Sequence, residues 1–236
     1  MISRGPRPPG GKYSICNPVP IGRPSIGYTL RVPPINRRSL ADSRPPGRLA
    51  SAPAAPADEH AGQEQVVLVD GDGRPIGVAD KKTVHGVTTP RHLAFSCYGF
   101  DEAGRLLVTQ RASTKRTFPM VWTNTCCGHP APGEKFADAA ARRLRFELGL
   151  EVQQMRMILP DFSYRASDGS VEENEFCPVL ACLITREPVP RSDEVQAVAW
   201  WSWAQFLAAA ADPSSGLSPW AREQAPLLDR ALSAQV

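Results

Sequence analysis

The sequence predicts an α/β or α+β domain in which helices pack against a mixed β-sheet, preceded by a disordered N-terminal extension. Short β-branched and apolar runs recur between turn signals, as is typical of strands. One later stretch instead repeats apolar residues at steps of three and four and ends at a glycine, as an amphipathic helix does. Residues 1–57 are dense in Pro, Gly, Ser and Arg, with Asp42 as their one acidic residue. That composition cannot bury enough apolar surface to offset chain entropy.

The strand candidates are short and are separated by turns. The run QVVLV precedes the turn signal DGDG, and PIGVA after that turn is a hairpin partner. Two further runs flank the sequence DEAG at hairpin spacing, and VWTNTCC also has an extended pattern. The expected strands are therefore 65–69 with its partner in PIGVA, 92–100, 105–111, 121–127, 176–184 and 195–201.

The clearest predicted helix runs from Glu134 to Leu148. Its apolar residues recur at three- and four-residue steps, and Gly149 stands where a helix C-cap belongs. Alanine-rich text predicts further helices at about 202–211 and 219–233. A mixed sheet with helices on it follows from this order of elements.

We assign residues 1–62 to a disordered Pro/Arg-rich extension and residues 63–236 to the folded domain. Basic, acid-poor N-termini also occur in transit peptides, but three Pro-Pro pairs would break the helix such a peptide needs. No secretory signal or run of transmembrane length is evident, and the six cysteines are too irregularly spaced for a disulfide framework. We expect a soluble, cytoplasmic protein with reduced cysteines that does not associate with membranes, as a monomer or a homodimer.

The net charge of +3 comes largely from the extension, so the folded part is close to neutral. We therefore expect no nucleic-acid partner.

Histidines and glutamates provide a candidate metal site. Three of the four histidines lie within the domain, and a carboxylate pair begins a predicted strand with one residue between its members, so both carboxylates share a face. Each histidine taken alone fits a structural role, and the acidic run fits a solvated turn in which Glu172 allows a shifted register. Together they form a mixed nitrogen and oxygen set that suits Zn²⁺, Mn²⁺ or Fe²⁺. The five residues are His85, His92, His129, Glu173 and Glu175.

The segment TNTCCGHP, residues 123–130, places a thiol and an imidazole two residues apart. On an extended chain Cys127 and His129 point to the same face, whereas Cys126 points to the other and is assigned to packing. An unperturbed thiol is about 3% ionised at pH 7. Cys127 is therefore either a neutral proton donor or a thiolate held by nearby cations, and the sequence leaves both open.

Residues 128–150, GHPAPGEKFADAAARRLRFELGL, resemble the Nudix box, a loop–helix–loop that binds a metal diphosphate. The frame of Gly128, Glu134, Arg142, Glu147 and Gly149 fits that motif. Nudix hydrolases generally carry Arg-Glu and later Glu-Glu, where this chain has Arg-Arg and Phe-Glu. The two missing carboxylates argue against ordinary Nudix hydrolysis.

Beyond the box, the chain closely resembles the type 1 isopentenyl-diphosphate isomerase family from about Val66 to the C-terminus. The first 60 or so residues lie outside the resemblance. Several independent motifs in the right order make the match more specific than the box alone. These motifs are HGVTTPRHLAFS, QRASTKRTFPMVWTNTCCGHP, RRLRFELG, DFSYRA, VEENEFCPV and SPW. The resemblance implies a Nudix-like mixed β-sheet flanked by helices.

The resemblance also implies roles for individual residues in converting isopentenyl diphosphate to dimethylallyl diphosphate through a carbocation. One Mn²⁺ or Zn²⁺ would be held by His85, His92, His129, Glu173 and Glu175. Mg²⁺ carried in with the substrate diphosphate would be held by Glu147. The implied diphosphate contacts are Lys81, Arg111, Lys115 and Arg143. The implied catalytic residues are Cys127, Glu175 and Tyr164, with Trp220 covering the cation.

Two other functions remain as alternatives at this level. One is a Nudix hydrolase acting on a nucleoside diphosphate derivative, which the missing carboxylates disfavour. The other is a catalytically inactive diphosphate-binding module, since a fold can be reused without its chemistry. The complete set of Cys, His and Glu residues favours an active isomerase.

Overall fold

The computed structural model describes residues 64–234, and the predicted extension at 1–62 lies outside these residues. The described part contains twelve strands and four helices. The strands are β1 Gln65–Val69, β2 Pro75–Asp80, β3 His92–Leu93, β4 Phe95–Phe100, β5 Leu106–Arg111, β6 Trp122–Thr123, β7 Cys126–Gly128, β8 Gln153–Leu159, β9 Ser163–Ser167, β10 Glu172–Phe176, β11 Val179–Leu183 and β12 Val195–Trp201. The helices are α1 Lys81–Val84, α2 Phe136–Leu148, α3 Trp203–Ala211 and α4 Pro219–Ser233.

The strands form two sheets rather than one. The first has the order β2-β1-β3-β10-β9, and the second has the order β12-β5-β4-β11-β8, with β6 on β5 and β7 on β4. Both sheets are mixed, because β3 is parallel to β10 and β4 is parallel to β11 while their other pairings are antiparallel. The prediction of a mixed sheet with helices is thus confirmed as an α+β arrangement.

Two predicted strands are each divided between the two sheets. In the run 92–100, His92 pairs with the first sheet and Phe95 with the second, and the chain crosses between them at Ala94. In the run 176–184, Phe176 ends β10 and Val179 begins β11. The sequence shows only continuous apolar text here, because a buried strand remains apolar when it changes sheet.

Helix predictions agree closely with the structure. The helix α4 has the predicted bounds. The helix α2 begins two residues later than predicted and ends, as predicted, at Leu148. Gly149 is its C-cap, with the left-handed φ of 63° that favours glycine at this position. The strands β8 and β9 were not predicted. Polar residues interrupt both strands, at Gln153, Gln154 and Arg156 in β8 and at both ends of β9. Most of their residues are exposed or half-buried, so neither shows the continuous apolar run that marks a buried strand.

Side-chain alternation in β4 and β5 divides the interior into two cores. Phe95 and Leu107 belong to a cluster that includes the apolar side of α2, with Leu144. Tyr98 belongs to the other cluster, which includes α3, α4 and Trp220. The second sheet is therefore covered on both faces. Among residues 64–234, none of the helices has the length and apolar content needed to span a membrane.

Candidate active site

One cavity of about 460 Å³ gathers most of the predicted site residues. This volume lies within the usual range for a small-molecule site. The predicted residues that line it are Lys81, His85, Arg111, Lys115, Cys127, His129, Arg143, Tyr164, Glu173, Glu175 and Trp220. His92 and Glu147 are not among its lining residues, and both are buried.

Three imidazoles and one carboxylate converge beside this cavity. One ligand atom from each of His85, His92, His129 and Glu175 lies within 4.8 Å of the others. The four come from separate elements: His85 caps α1, His92 opens β3, His129 follows β7 and Glu175 lies in β10. The parallel pairing of β3 with β10 sets His92 directly beside Glu175.

The hydrogen bonds orient lone pairs toward a common point. His92 Nδ1 donates to the Pro90 carbonyl at 2.9 Å, so its Nε2 carries the lone pair. That Nε2 lies 3.2 Å from His129 Nε2, which lies 3.2 Å from Glu175 Oε1. Histidines that bind metals commonly donate one ring N–H to a carbonyl and use the other ring nitrogen as the ligand, and His92 is held in this way.

Buried polar atoms without hydrogen-bond partners mark the same place. His85 Nε2 and Glu173 Oε2 lie 3.1 Å apart, yet neither has a partner in hydrogen-bonding geometry, and His129 Nδ1 is also unpartnered. A buried polar atom left unpaired costs about 1–3 kcal/mol. His85 Nε2 and Glu173 Oε2 face each other as ligands of a shared ion can, so the residues here fit a divalent metal.

Burial and neighbouring charges together set the protonation of the candidate metal ligands. Burial, followed by the charge of Lys81, lowers the pKa of His129 to about 3, so its imidazole is neutral as a ligand must be. Burial and then the charge of Glu173 raise the pKa of Glu175. Burial alone would raise the pKa of Glu173, but the adjacent His85 outweighs it and lowers that pKa.

Cys127 reaches the cavity from β7 as a neutral thiol. Its Sγ lies 3.2 Å from Asn124 Oδ1 and 3.7 Å from Ser96 Oγ. Burial raises the pKa of Cys127 to about 11, although Ser96 and Arg111 act in the opposite direction. Of the two states that the sequence left open, the structure favours the neutral thiol. Cys126 is buried on the other face of β7, as predicted.

The cationic residues are already held by carboxylates or carbonyls. Lys81 Nζ pairs with Glu64 Oε2 at 2.6 Å, and the Arg111 guanidinium donates to the Thr117 carbonyl at 2.9 Å. Lys115 forms an ion pair with Glu194. These contacts orient the cations at the cavity before any anion enters.

The predicted magnesium residue Glu147 lies on α2 within an ion-pair network. Its Oε1 accepts hydrogen bonds from Arg143 Nε at 2.9 Å and Nη2 at 2.6 Å, which is the i,i+4 pair expected on a helix. The same Arg143 Nη2 lies 3.0 Å from Glu194 Oε2. Glu147 is therefore paired with Arg143 and is not one of the four residues that converge within 4.8 Å.

Aromatic rings form one wall of the cavity. The Trp220 ring lies 5.6 Å from that of Tyr164 and 5.4 Å from that of Phe118, measured between centroids. Tyr164 is also the cross-strand partner of Glu175 in the pairing of β9 with β10. Aromatic faces attract positive charge without acting as nucleophiles.

Comparison with known proteins identifies the family. The NUDIX domain model matches residues 90–221. The isopentenyl-diphosphate Delta-isomerase of Mycolicibacterium vanbaalenii is 56% identical over 170 residues, which cover 71% of this chain and 93% of that protein. The enzyme of the same name from Saccharopolyspora erythraea is 54% identical, over 68% of this chain and 84% of that protein. The chain belongs to the isopentenyl-diphosphate Delta-isomerase family.

A solved structure shows a likeness in fold. The crystal structure of DR0079 from Deinococcus radiodurans covers 71% of this chain and 99% of its own, with a TM-score of 0.53 and 19% sequence identity. The Nudix-like fold predicted from the sequence is thus confirmed.

Several residues of this family member's site were not predicted. Lys82, Arg116, Thr117 and Glu64 also line the cavity. Arg116 Nη2 donates to the His85 carbonyl at 2.9 Å, so it braces the loop that carries a metal-site histidine. Arg116 lies within the family motif QRASTKRTFPMVWTNTCCGHP, and this position in the sequence could have indicated a role at the site. Glu194, which pairs with Lys115 and Arg143, lies outside all of the family motifs, so the sequence did not indicate it.

Proposed function

We propose that this chain is an isopentenyl-diphosphate Delta-isomerase, which interconverts isopentenyl diphosphate and dimethylallyl diphosphate in isoprenoid precursor biosynthesis. One observation carries the proposal: a neutral thiol, a buried carboxylate, cations and an aromatic wall all line one cavity. Family membership supports the same substrate and reaction.

The reaction moves a carbon–carbon double bond by one position. A proton is added to one end of the alkene, which leaves tertiary carbocation character, and another proton is then removed from the neighbouring carbon on the diphosphate side. Water would capture such a cation, so the site must exclude it. Trp220, which is 2% exposed, and the adjacent Tyr164 supply a wall of this kind.

Cys127 and Glu175 are the proposed proton-transfer groups, and Tyr164 is proposed to assist Glu175. A thiol with a pKa of about 11 holds its proton at neutral pH and can give it to the alkene. Glu175 in its carboxylate form then accepts the proton that leaves the substrate. Because the reaction is reversible, each group takes the opposite role in the reverse direction.

The diphosphate is proposed to bind the cations at the cavity mouth, namely Lys81, Arg111, Lys115 and Arg143. Arg143 and Lys115 share Glu194 as a partner, so an incoming diphosphate competes with one carboxylate for two cations. Glu147 would hold Mg²⁺ that enters with the diphosphate, because oxygen ligands shared with phosphate suit that ion.

A second divalent ion, Mn²⁺ or Zn²⁺, is proposed at His85, His92, His129, Glu173 and Glu175. The unpartnered buried atoms of that cluster support this ligand set. When bound, the ion would supply positive charge that stabilises the ionised form of the Glu175 carboxylate.

The five cysteines of the described part are free, which fits the reducing environment of the cytoplasm proposed for this protein. The domain would act there on a small molecule as a monomer or a homodimer. Light scattering of the purified protein distinguishes these two states.

The function is tested with isopentenyl diphosphate and Mg²⁺ in deuterated water. We expect deuterium incorporation into the dimethylallyl diphosphate product and also into the recovered isopentenyl diphosphate, without release of phosphate. Phosphate release without deuterium incorporation would instead establish a Nudix hydrolase. Neither signal, with binding of the diphosphate retained, would establish an inactive binding module.

A further inference from the structure

Asn124, between β6 and β7, is fully buried and joins two of the proposed active-site residues. Its Oδ1 accepts a hydrogen bond from Cys127 Sγ at 3.2 Å and another from Trp220 Nε1 at 3.1 Å. The thiol comes from β7 and the indole from the first turn of α4. One amide oxygen therefore connects the proton-transfer group to the aromatic wall.

The orientation of this amide is determined by its other end. Asn124 Nδ2 donates to the Cys97 carbonyl at 3.0 Å and to the Cys126 carbonyl at 2.8 Å. Backbone carbonyls only accept hydrogen bonds, so the nitrogen must face them and the oxygen must face the opposite way. An indole N–H only donates, and Cys127 Sγ contacts the same oxygen as a donor, so the oxygen is the correct partner for both.

A third donor also contacts the same oxygen, although the two backbone carbonyls that accept from Nδ2 already set the orientation of the amide. Thr123 Oγ1 donates to Asn124 Oδ1 at 2.8 Å and lies 2.9 Å from the hydroxyl of Ser218, the N-cap of α4. Thr123 and Ser218 are both buried. Thr123 thus provides a matched control, because its hydroxyl bonds to the same oxygen and has no hydrogen bond to Cys127 or Trp220.

We propose that Asn124 is a positioning residue that fixes the Cys127 thiol and the Trp220 indole relative to each other, an inference that rests on the proposed function. Proton donation to the alkene and stabilisation of the resulting cation require both groups at set distances from the same carbon atoms. A misplacement of about 1 Å can lower a rate about 10²-fold. Asn124 does not itself line the cavity among the described residues, so substrate affinity should not depend on it.

The kinetic test compares Asn124→Leu with the control Thr123→Val, using isopentenyl diphosphate and Mg²⁺. For Asn124→Leu we expect kcat to fall on the order of 10²-fold, while KM stays within about threefold of the wild type. For Thr123→Val we expect both constants to stay within about threefold of the wild type. Loss of turnover in Thr123→Val equal to that in Asn124→Leu would overturn the proposal, because it would indicate a general packing effect.

A spectroscopic test follows the Trp220 indole N–H directly. In protein labelled with ¹⁵N-tryptophan, Trp220→Phe identifies its indole signal among those of the other tryptophans, whose signals report the fold. We expect the Trp220 signal to move toward that of a free indole in Asn124→Leu and to keep its position in Thr123→Val.

Asn124→Asp provides a second variant, of nearly equal volume, in case the leucine variant does not fold. In each folded variant, turnover and the position of the Trp220 signal should change together. A retained signal with lost turnover, or a lost signal with normal turnover, would overturn the positioning role. If the wild-type protein itself fails to isomerise the substrate, the proposed function fails instead, so the two failures are distinguishable.

Discussion

The two faces of the segment 126–129 differ in chemistry although they belong to one short stretch of chain. On one face, Cys126 packs with the apolar cluster under α2, and a methyl group added to Gly128 would meet Arg143 and Phe95 at 3.0 and 3.1 Å. On the other face, the side chains of Cys127 and His129 line the cavity, which Gly128 between them also borders. Alternation along an extended chain separates them.

Residue type does not determine the role of a cysteine here. Burial raises the pKa of Cys126 well above its usual value and that of Cys127 to about 11. Both thiols are therefore neutral at pH 7. What distinguishes Cys127 is its position at the cavity and its contacts with Asn124 and Ser96. Substitutions on the two faces should therefore differ in their effects.

The largest expected effect is on the cavity face, from Cys127→Ala. Removal of the proton-transfer group should lower turnover by about 10²–10⁴-fold or more. Affinity for the diphosphate should remain roughly unchanged, because the proposed contacts of the diphosphate with the cations and Mg²⁺ do not involve the thiol. Steady-state kinetics and equilibrium binding measure the two quantities. Normal turnover in this variant would refute the assignment.

On the same face, His129→Asn should lower metal content and activity together, because it removes a proposed ligand. Glu173→Gln should have the same result. Elemental analysis of the purified variants measures bound Mn and Zn. Glu147→Gln is the matched control, and we expect it to retain the metal of the histidine cluster. Full occupancy in both His129→Asn and Glu173→Gln would show that the ligand set is wrong.

The pH dependence of alkylation also distinguishes the faces. Only the thiolate reacts, and Cys127 has its pKa raised to about 11, so the rate of its modification by iodoacetamide should rise about tenfold per pH unit from pH 7 toward 11. Cys126 should remain unmodified over this range, because it is 1% exposed. Peptide mass spectrometry measures each site. A Cys127 rate that is already maximal at pH 8 would instead indicate a thiolate.

A smaller effect is expected on the α2 face from Gly128→Ala. The added methyl would press on the Arg143 side chain and on the Phe95 ring. Overpacking of this kind typically costs about 1–3 kcal/mol of stability. Displacement of Arg143 should also raise KM for the diphosphate substrate more than it lowers kcat. Denaturant unfolding measures the stability, and steady-state kinetics measures KM. An unchanged KM would show that Arg143 does not contribute to substrate binding.

The smallest effect is expected from Cys126→Ala. The change trims a buried side chain and should cost about 1 kcal/mol of stability while turnover stays near that of the wild type. Chemical denaturation and steady-state kinetics measure these. If Cys126→Ala were inactive, the faces would have been assigned the wrong way round.

The sequence alone predicted the local features of this protein. Alternation separated Cys127 and His129 from Cys126, and the apolar spacing of 134–148 with Gly149 located α2 to within two residues. These features depend on neighbours within a few positions, so they can be read from one segment at a time. The motifs added the family and its implied residues, which comparison confirmed at the level of the family.

Tertiary structure decided the rest. His85, His92, His129 and Glu175 meet within 4.8 Å because strands far apart in the chain pair with each other and because β3 and β4 join different sheets. The amide contacts of Asn124, which reach 96 residues along the chain to Trp220, have no local pattern in the sequence. The neutral state of Cys127 likewise follows from burial among elements that its own segment does not specify, since desolvation depends on everything packed around a group.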